Sequence, residues 1–324
     1  MRWRQWRGQI WVIVMLAMVV LAGGIGVYLG VRQSLASALS SGCVDIPAVP
    51  DYRATGSAHD AIAALNHARA LAGLPPLKLP PRFYQFSPAQ QQWVLLNLER
   101  RARGLSPLHM DATLTQMALN YSRQMRDLHF FSHTSPIGGT FAQRLAANPA
   151  LSGHYRLAAE NLAGNPVPGV GAIYEYMYDD AAENCLHRAN ILTPALTLVG
   201  IAVVADRAYG SISVQEFLAP APWNPCIGAP LATQPPRLRL AISRNAAHPW
   251  LLQGRAFAGR SVGTVRLSWF LDHISEGQLL ADGSSLSLDL RSLAPGAHTL
   301  LVYAVDGAQN YSKAATRFFV DPPG

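Results

Sequence analysis

From Ile10 to Val31 the chain runs without a charged residue and is rich in Val, Leu, Ile, Met and Ala. As a helix this stretch would be about 33 Å long, enough to cross a hydrocarbon core of about 30 Å. Trp3, Trp6 and Trp11 gather at one end and Tyr28 lies near the other, as aromatic belts do. Arg2, Arg4 and Arg7 precede the run and only Arg32 follows closely, so the positive-inside rule puts the N-terminus in the cytoplasm and the rest outside. A cleaved signal peptide is the competing reading, with Ala36-Ser37-Ala38 as the cleavage stretch and a secreted product. The run exceeds a usual signal-peptide core, which favours an uncleaved single-pass anchor. The lipid membrane, met through residues 10–31, is the first expected partner.

Residues 32–86 are expected to form a juxtamembrane linker with a short helix, because Ser, Ala, Gly and Pro dominate the first half. An internal echo lies across its end. Leu65-Asn66-x-x-Arg69-x-x-x-Gly73-Leu74-x-Pro76-Leu77 recurs as Leu96-Asn97-x-x-Arg100-x-x-x-Gly104-Leu105-x-Pro107-Leu108, and both copies read as a helix ended by Gly and a Pro-containing turn. Ser87-Pro88 opens a helix that should reach Arg103. Asp111 caps the next, whose apolar positions Leu114, Met117, Ala118, Tyr121, Met125 and Leu128 recur at three and four. Thr140 caps a short helix to Ala147, another covers Gly171 to Asp179, and the β-branched runs 198–204 and 211–217 form a hairpin. Residues 87–220 are thus an α+β unit, an α-β-α sandwich. After a Pro-rich linker at 221–236, the alternating runs 237–243, 250–256, 265–271, 285–290, 298–305 and 315–320 predict an all-β sandwich over 237–324.

Half of the 324 residues are apolar and only 14% are charged, which excludes a disordered chain and suits several domains. Three of the charges behind the net +7 sit at the extreme N-terminus and no later basic block is dense, so no nucleic-acid partner is expected. Three cysteines exclude a four-cysteine zinc module. In an oxidising compartment Cys185 and Cys226 are a candidate disulfide and Cys43 is left over; two unpaired buried cysteines are the alternative.

The middle unit carries its motifs in order. Phe130-Phe131-Ser132-His133-Thr134-Ser135-Pro136, Ala159-Glu160-Asn161-Leu162-Ala163 and His187-Arg188-Ala189-Asn190-Ile191-Leu192 follow the second copy of the echo. Val199-Gly200-Ile201-Ala202 and Val214-Gln215-Glu216-Phe217 close the series. On chemistry alone, His133, His187 and Glu160 can bind a divalent metal such as zinc, or act as general acid and base without one. They can equally be scaffold groups that brace loops. Ser132 beside His133 lacks a nucleophile elbow, so a serine hydrolase is disfavoured.

This series resembles the CAP superfamily of cysteine-rich secretory proteins, antigen 5 and pathogenesis-related proteins, in its bacterial secreted branch, over about residues 88–218. The family places two His and two acids in a central cleft, and by resemblance His133, Glu160 and His187 fill three places. The fourth is expected at Asp179, three positions after Tyr176, or at its neighbour Glu175. The C-terminal unit, with Leu293-x-Pro295-Gly296-x-His298 and Asp306, is similar to bacterial immunoglobulin-like modules, and His273, His298 and Asp306 read there as surface or turn residues. Together these imply a membrane-anchored extracytoplasmic protein that binds a lipid, glycan or peptide of the cell envelope without catalysis. A metal-assisted hydrolase and a structural adhesion protein are the alternatives.

Overall fold

The computed structural model describes residues 47, 49–222, 234–259, 263–274 and 279–321. The apolar run at 10–31, Cys43 and Cys226 lie outside them. Among the described residues, no helix is long and apolar enough to cross a membrane.

The first unit is built on a sheet of four strands in the order β1 (His109–Met110), β5 (Leu198–Asp206), β6 (Gly210–Pro220), β4 (Tyr155–Gly164). The first pair is parallel and the others antiparallel. The expected hairpin is β5–β6, whereas β4 was not anticipated. Strand alternation then sorts side chains between two helical layers. Val199, Ile201, Phe217 and Ala163 point into a core shared with α1 (Ala58–Leu71), α2 (Pro88–Ala102) and α5 (Val170–Tyr178). Leu162, Ala202, Val204, Ile212 and Val214 point the other way, onto α3 (Ala112–Leu128). Gly200 belongs to this second face, and a Cβ there would come within 2.2 Å of the Leu114 carbonyl carbon, so glycine lets α3 lie close on the sheet. Two short elements, β2 (Thr134–Ser135) and β3 (Gly139–Thr140), lead into α4 (Phe141–Ala147), and α6 (Leu186–Leu192) precedes β5.

Residues 52–86 are not a linker. Ala54, Ala61, Ile62, Leu65, Ala68 and Phe83 are buried in the first core. The echo is a repeated structure: Leu74 N donates to Arg69 O as Leu105 N does to Arg100 O. Arg69 Nε reaches Pro75 O at 2.8 Å and Arg100 Nε reaches Ser106 O at 2.7 Å. Asn66 and Asn97 accept from Leu77 N and Leu108 N, both at 2.7 Å. Gly73 and Gly104 take the left-handed conformation these turns require, with φ of 68° and 72°.

The second unit is two facing sheets around Trp269, Leu252, Leu288, Leu300 and Val302. One has the order β10 (Leu279–Asp282), β9 (Arg266–Leu271), β12 (Gly296–Val305), β13 (Tyr311–Val320). The other is β11 (Ser285–Asp289), β8 (Leu251–Gly259), β7 (Arg237–Arg244). The outer face of β9 and β12 is also apolar, because it packs on the first unit: Phe270, Leu301, Tyr303 and Val305 meet Leu128 and Ile137. Asp306 is a turn residue but not a surface one. It is 1% exposed, and its turn receives hydrogen bonds from α3 through Asn120 Nδ2 to Ala308 O and Gln124 Nε2 to Gln309 O.

Candidate functional site

The site forms around the edge strand β4, where adjacent residues point to opposite faces of the sheet. Glu160 points to the α3 face. Its Oε1 lies 2.8 Å from His133 Nδ1 and its Oε2 pairs with Arg144 Nη2. A carboxylate only accepts, so the His133 proton sits on Nδ1. Arg144 projects from α4, whose start is fixed by a capping box between Thr140 and Gln143. Its guanidinium also donates to His133 O at 3.0 Å and Gly139 O at 3.1 Å, and lies 3.5 Å over the Tyr121 ring. Tyr121 OH donates to Ser132 O. A fully buried arginine is thereby compensated by a carboxylate, two carbonyls and a ring face, which offsets its desolvation. The same contacts fix the loop that presents His133, whose side chain is 55% exposed.

Asn161, one residue on, points to the other face. Its amide donates to His187 O at 3.1 Å and to Gln215 Oε1 at 3.2 Å, and Gln215 continues to Gln92 of α2 at 2.9 Å. Asn190 Nδ2 donates to Asn161 Oδ1 at 2.8 Å. This buried network holds α6, and with it His187, against β4. The two histidine-bearing segments therefore attach to consecutive residues of one strand.

His187 does not use Glu160 as its acid. Its Nδ1 lies 2.7 Å from Asp180 Oδ1, while Asp180 Oδ2 accepts from Arg188 N at 2.9 Å. The Tyr176 ring packs 5.2 Å from the imidazole. The acid paired with His187 is thus Asp180, 1% exposed, and neither of the two expected residues. α5 ends at Tyr178 and Asp179 has left the helix, so spacing by helical turns fails there. Asp179 is exposed, and desolvation and the charge of Asp180 raise its carboxyl. Glu175 instead takes a hydrogen bond from Asn165 at 3.3 Å, and burial pushes its carboxyl up to about 7.

The metal set His133, His187 and Glu160 is not assembled: among the described residues no three His, Cys, Asp or Glu side chains gather as metal ligands would. Both Glu160 oxygens are committed to His133 and Arg144. What the site offers is two imidazoles, each with Nδ1 engaged by its own carboxylate and Nε2 without a hydrogen bond among the described residues. Such a nitrogen accepts a hydrogen bond or takes a proton.

Sequence reasoning missed Arg144 and Asp180. The capping pattern Thr140-x-x-Gln143 was a usable signal for Arg144, since it fixes the helix on which Arg144 sits. Nothing in the sequence separated Asp180 from Asp179. Cys185 is fully buried just before α6, while its expected partner Cys226 lies outside the described residues.

Residues 93–217 match the Cysteine-rich secretory protein family, CAP. The chain is 32% identical over 124 residues to the "Uncharacterized protein YkwD" of Bacillus subtilis, covering 38% of this chain and 44% of that one. It is 31% identical over 117 residues to the "Uncharacterized membrane protein YlbC" of the same organism, covering 36% and 30%. The chain thus spans less than half the length of these relatives. Among solved structures it is similar to an extracellular protein containing a SCP domain from Bacillus anthracis, with 28% identity, 44% of each chain covered and a TM-score of 0.35.

Proposed function

Starting from a CAP domain of bacterial type at residues 93–217, we propose that this protein is a non-enzymatic receptor for a lipid, glycan or peptide of the cell envelope. The observation that carries this reading is the pair of carboxylate-backed histidines, His133–Glu160 and His187–Asp180, at 2.8 and 2.7 Å. Each carboxylate fixes its ring, so each Nε2 is a preorganised acceptor, and the proposal is that the two serve one organic ligand. The route to the envelope is the uncharged run at 10–31, read as a single-pass anchor with the N-terminus inside. One curated relative bears the name of a membrane protein, which supports the anchor. The C-terminal sheets are read as an immunoglobulin-like module that extends the receptor outward. A bridge between Cys185 and Cys226 is part of the same proposal, supported by the complete burial of Cys185. In the chain-entropy model it would be worth on the order of 3–4 kcal/mol.

Binding tests the proposal. Full-length protein in detergent is incubated with the lipid, glycan and peptide fractions of the envelope, and retained material is identified by mass spectrometry. One fraction should be retained by the wild type and lost from His133→Ala and His187→Ala alike. Equal retention by all three proteins would refute the histidine pair as the receptor site. Turnover of a fraction by the wild type, abolished in both variants, would replace the receptor with a hydrolase.

A further inference from the structure

Where the second copy of the echo faces the Lys78–Pro80 stretch that follows the first, there is a groove of about 520 Å³, within the size range of small-ligand sites. Its apolar lining includes Trp93, Leu98 and Pro107, and its polar lining includes Lys78, Arg101 and His109. No Asp or Glu is among the described lining residues.

Three features make this a built groove. Leu108, on one wall, is held at both backbone atoms: its N–H donates to Asn97 Oδ1 at 2.7 Å, and its carbonyl accepts from Trp93 Nε1 at 2.9 Å and Asn97 Nδ2 at 3.0 Å. The indole N–H is therefore spent on the wall, while Trp93 keeps 36% exposure. Arg101 is steadied by Nε donating to Asn97 O at 3.3 Å, one turn back, and neither it nor Lys78 joins an ion pair among the described residues. Trp93, Asn97 and Arg101 recur every four positions and so share one face of α2. An aromatic platform, a proline and two cations without an ion-pair partner among the described residues stand together in one concavity.

We propose that this groove binds an acidic sugar. The ring would lie on Trp93, and its carboxylate or phosphate would be held by Arg101 and Lys78. A bare inorganic anion would leave the aromatic floor unused, and a neutral sugar would leave both cations unanswered. Arg101, with its planar fork, suits a carboxylate or phosphate better than a point charge would. The choice of a sugar over a nucleotide rests on the outward-facing topology proposed above, whereas the experiment on purified protein does not depend on that topology.

The test is titration calorimetry of the full-length protein in detergent with a galacturonate oligosaccharide, glucose phosphate, a neutral glucose oligosaccharide, adenosine monophosphate and inorganic phosphate. Galacturonate binding assigns a sugar acid and glucose phosphate binding a sugar phosphate; either supports the proposal if the neutral sugar and inorganic phosphate bind at least about tenfold more weakly. Arg101→Gln should weaken that ligand by about tenfold or more, as loss of a charge-assisted contact does. Trp93→Ala should weaken it similarly and Trp93→Phe should restore much of the loss. Trp93→Ala also removes the bond to Leu108, so its thermal midpoint is measured alongside; the exposed Arg101→Gln decides if that variant unfolds. His187→Ala should bind the sugar unchanged, which separates this groove from the histidine pair. Equal binding by Arg101→Gln, inorganic phosphate as good as the sugar, binding of the nucleotide alone, or no binding of either acidic sugar would overturn the proposal.

Discussion

Glu216 and Glu160 stand directly opposite each other on β6 and β4, yet among the described residues only Glu160 has hydrogen-bond partners, and both Glu216 carboxylate oxygens are buried without one. Burial first, and then the charge of Glu160, push the Glu216 carboxyl well above the ordinary carboxylate range. The folded protein therefore keeps a proton that the unfolded chain releases above about pH 4.3. Stability from this group is complete below that pH and is lost as pH rises toward the folded value. Glu216→Gln keeps the shape without the charge. It should gain on the order of 1 kcal/mol or more near pH 8, a tenfold change in proton affinity being worth about 1.4 kcal/mol, and little near pH 4. Urea denaturation across that range reads the difference.

Glu175 gives a second, narrower window. With its carboxyl at about 7 in the folded protein, its contribution should be complete below about pH 4.3 and disappear as pH rises through about 7. Glu175→Gln should flatten the stability profile between those limits and leave it unchanged below them. The same denaturation series checks this.

Arg144 is the residue whose loss should cost most. Arg144→Ala strands the buried Glu160 carboxylate and frees the loop of His133, for a loss of about 3–5 kcal/mol. Arg144→Lys keeps the charge but cannot span Glu160, His133 O and Gly139 O together, so it should fall between the two. Denaturant midpoints rank the three proteins.

Asp180 and Asp179 form a matched pair of controls. Asp180→Ala removes the partners of both the His187 ring and the Arg188 amide, and should cost on the order of 2 kcal/mol. Asp179→Ala, at an exposed position, should stay within about 0.5 kcal/mol of wild type. Thermal melts of the two variants side by side decide which acid belongs to the site.

How far the sequence reached follows from where periodicity holds. Helices with apolar recurrence and capping residues, such as Ala112–Leu128 behind Asp111, were legible to within a residue. Six of the seven described strands of the second unit were legible as alternating runs, because alternation marks one buried face, although three of them extend two to four residues beyond the expected ends. Tyr155–Gly164 was missed because Glu160 and Asn161 interrupt the alternation with polar residues that the site, rather than the core, requires. Residues 52–86 looked like a linker because small Ala side chains carry that helix into the core. The His133–Glu160 pair could be named from motifs, but Asp180 could not, since it lies past the end of a helix where no spacing rule applies. The burial of Asp306 depends on docking between the two units, which no local pattern encodes.

The docking itself is testable. Asn120→Ala and Gln124→Ala remove the bonds from α3 to the Asp306–Asn310 turn, and Gln124 Oε1 also accepts from Ser135 Oγ, two residues after His133. Each should cost about 1–3 kcal/mol. Calorimetry should show the two units melting together in the wild type and separating in the double variant.

The central claim, that two carboxylate-backed histidines receive one organic ligand, is tested most directly by long-range proton–nitrogen NMR of the histidine rings. The spectra are recorded on full-length protein while the retained envelope fraction is added. The Nε2 resonances of His133 and His187 should move together along one titration curve, and Asp180→Asn should weaken that response at both rings. Rings that stay still while the fraction binds, or that move on independent curves, would contradict the account.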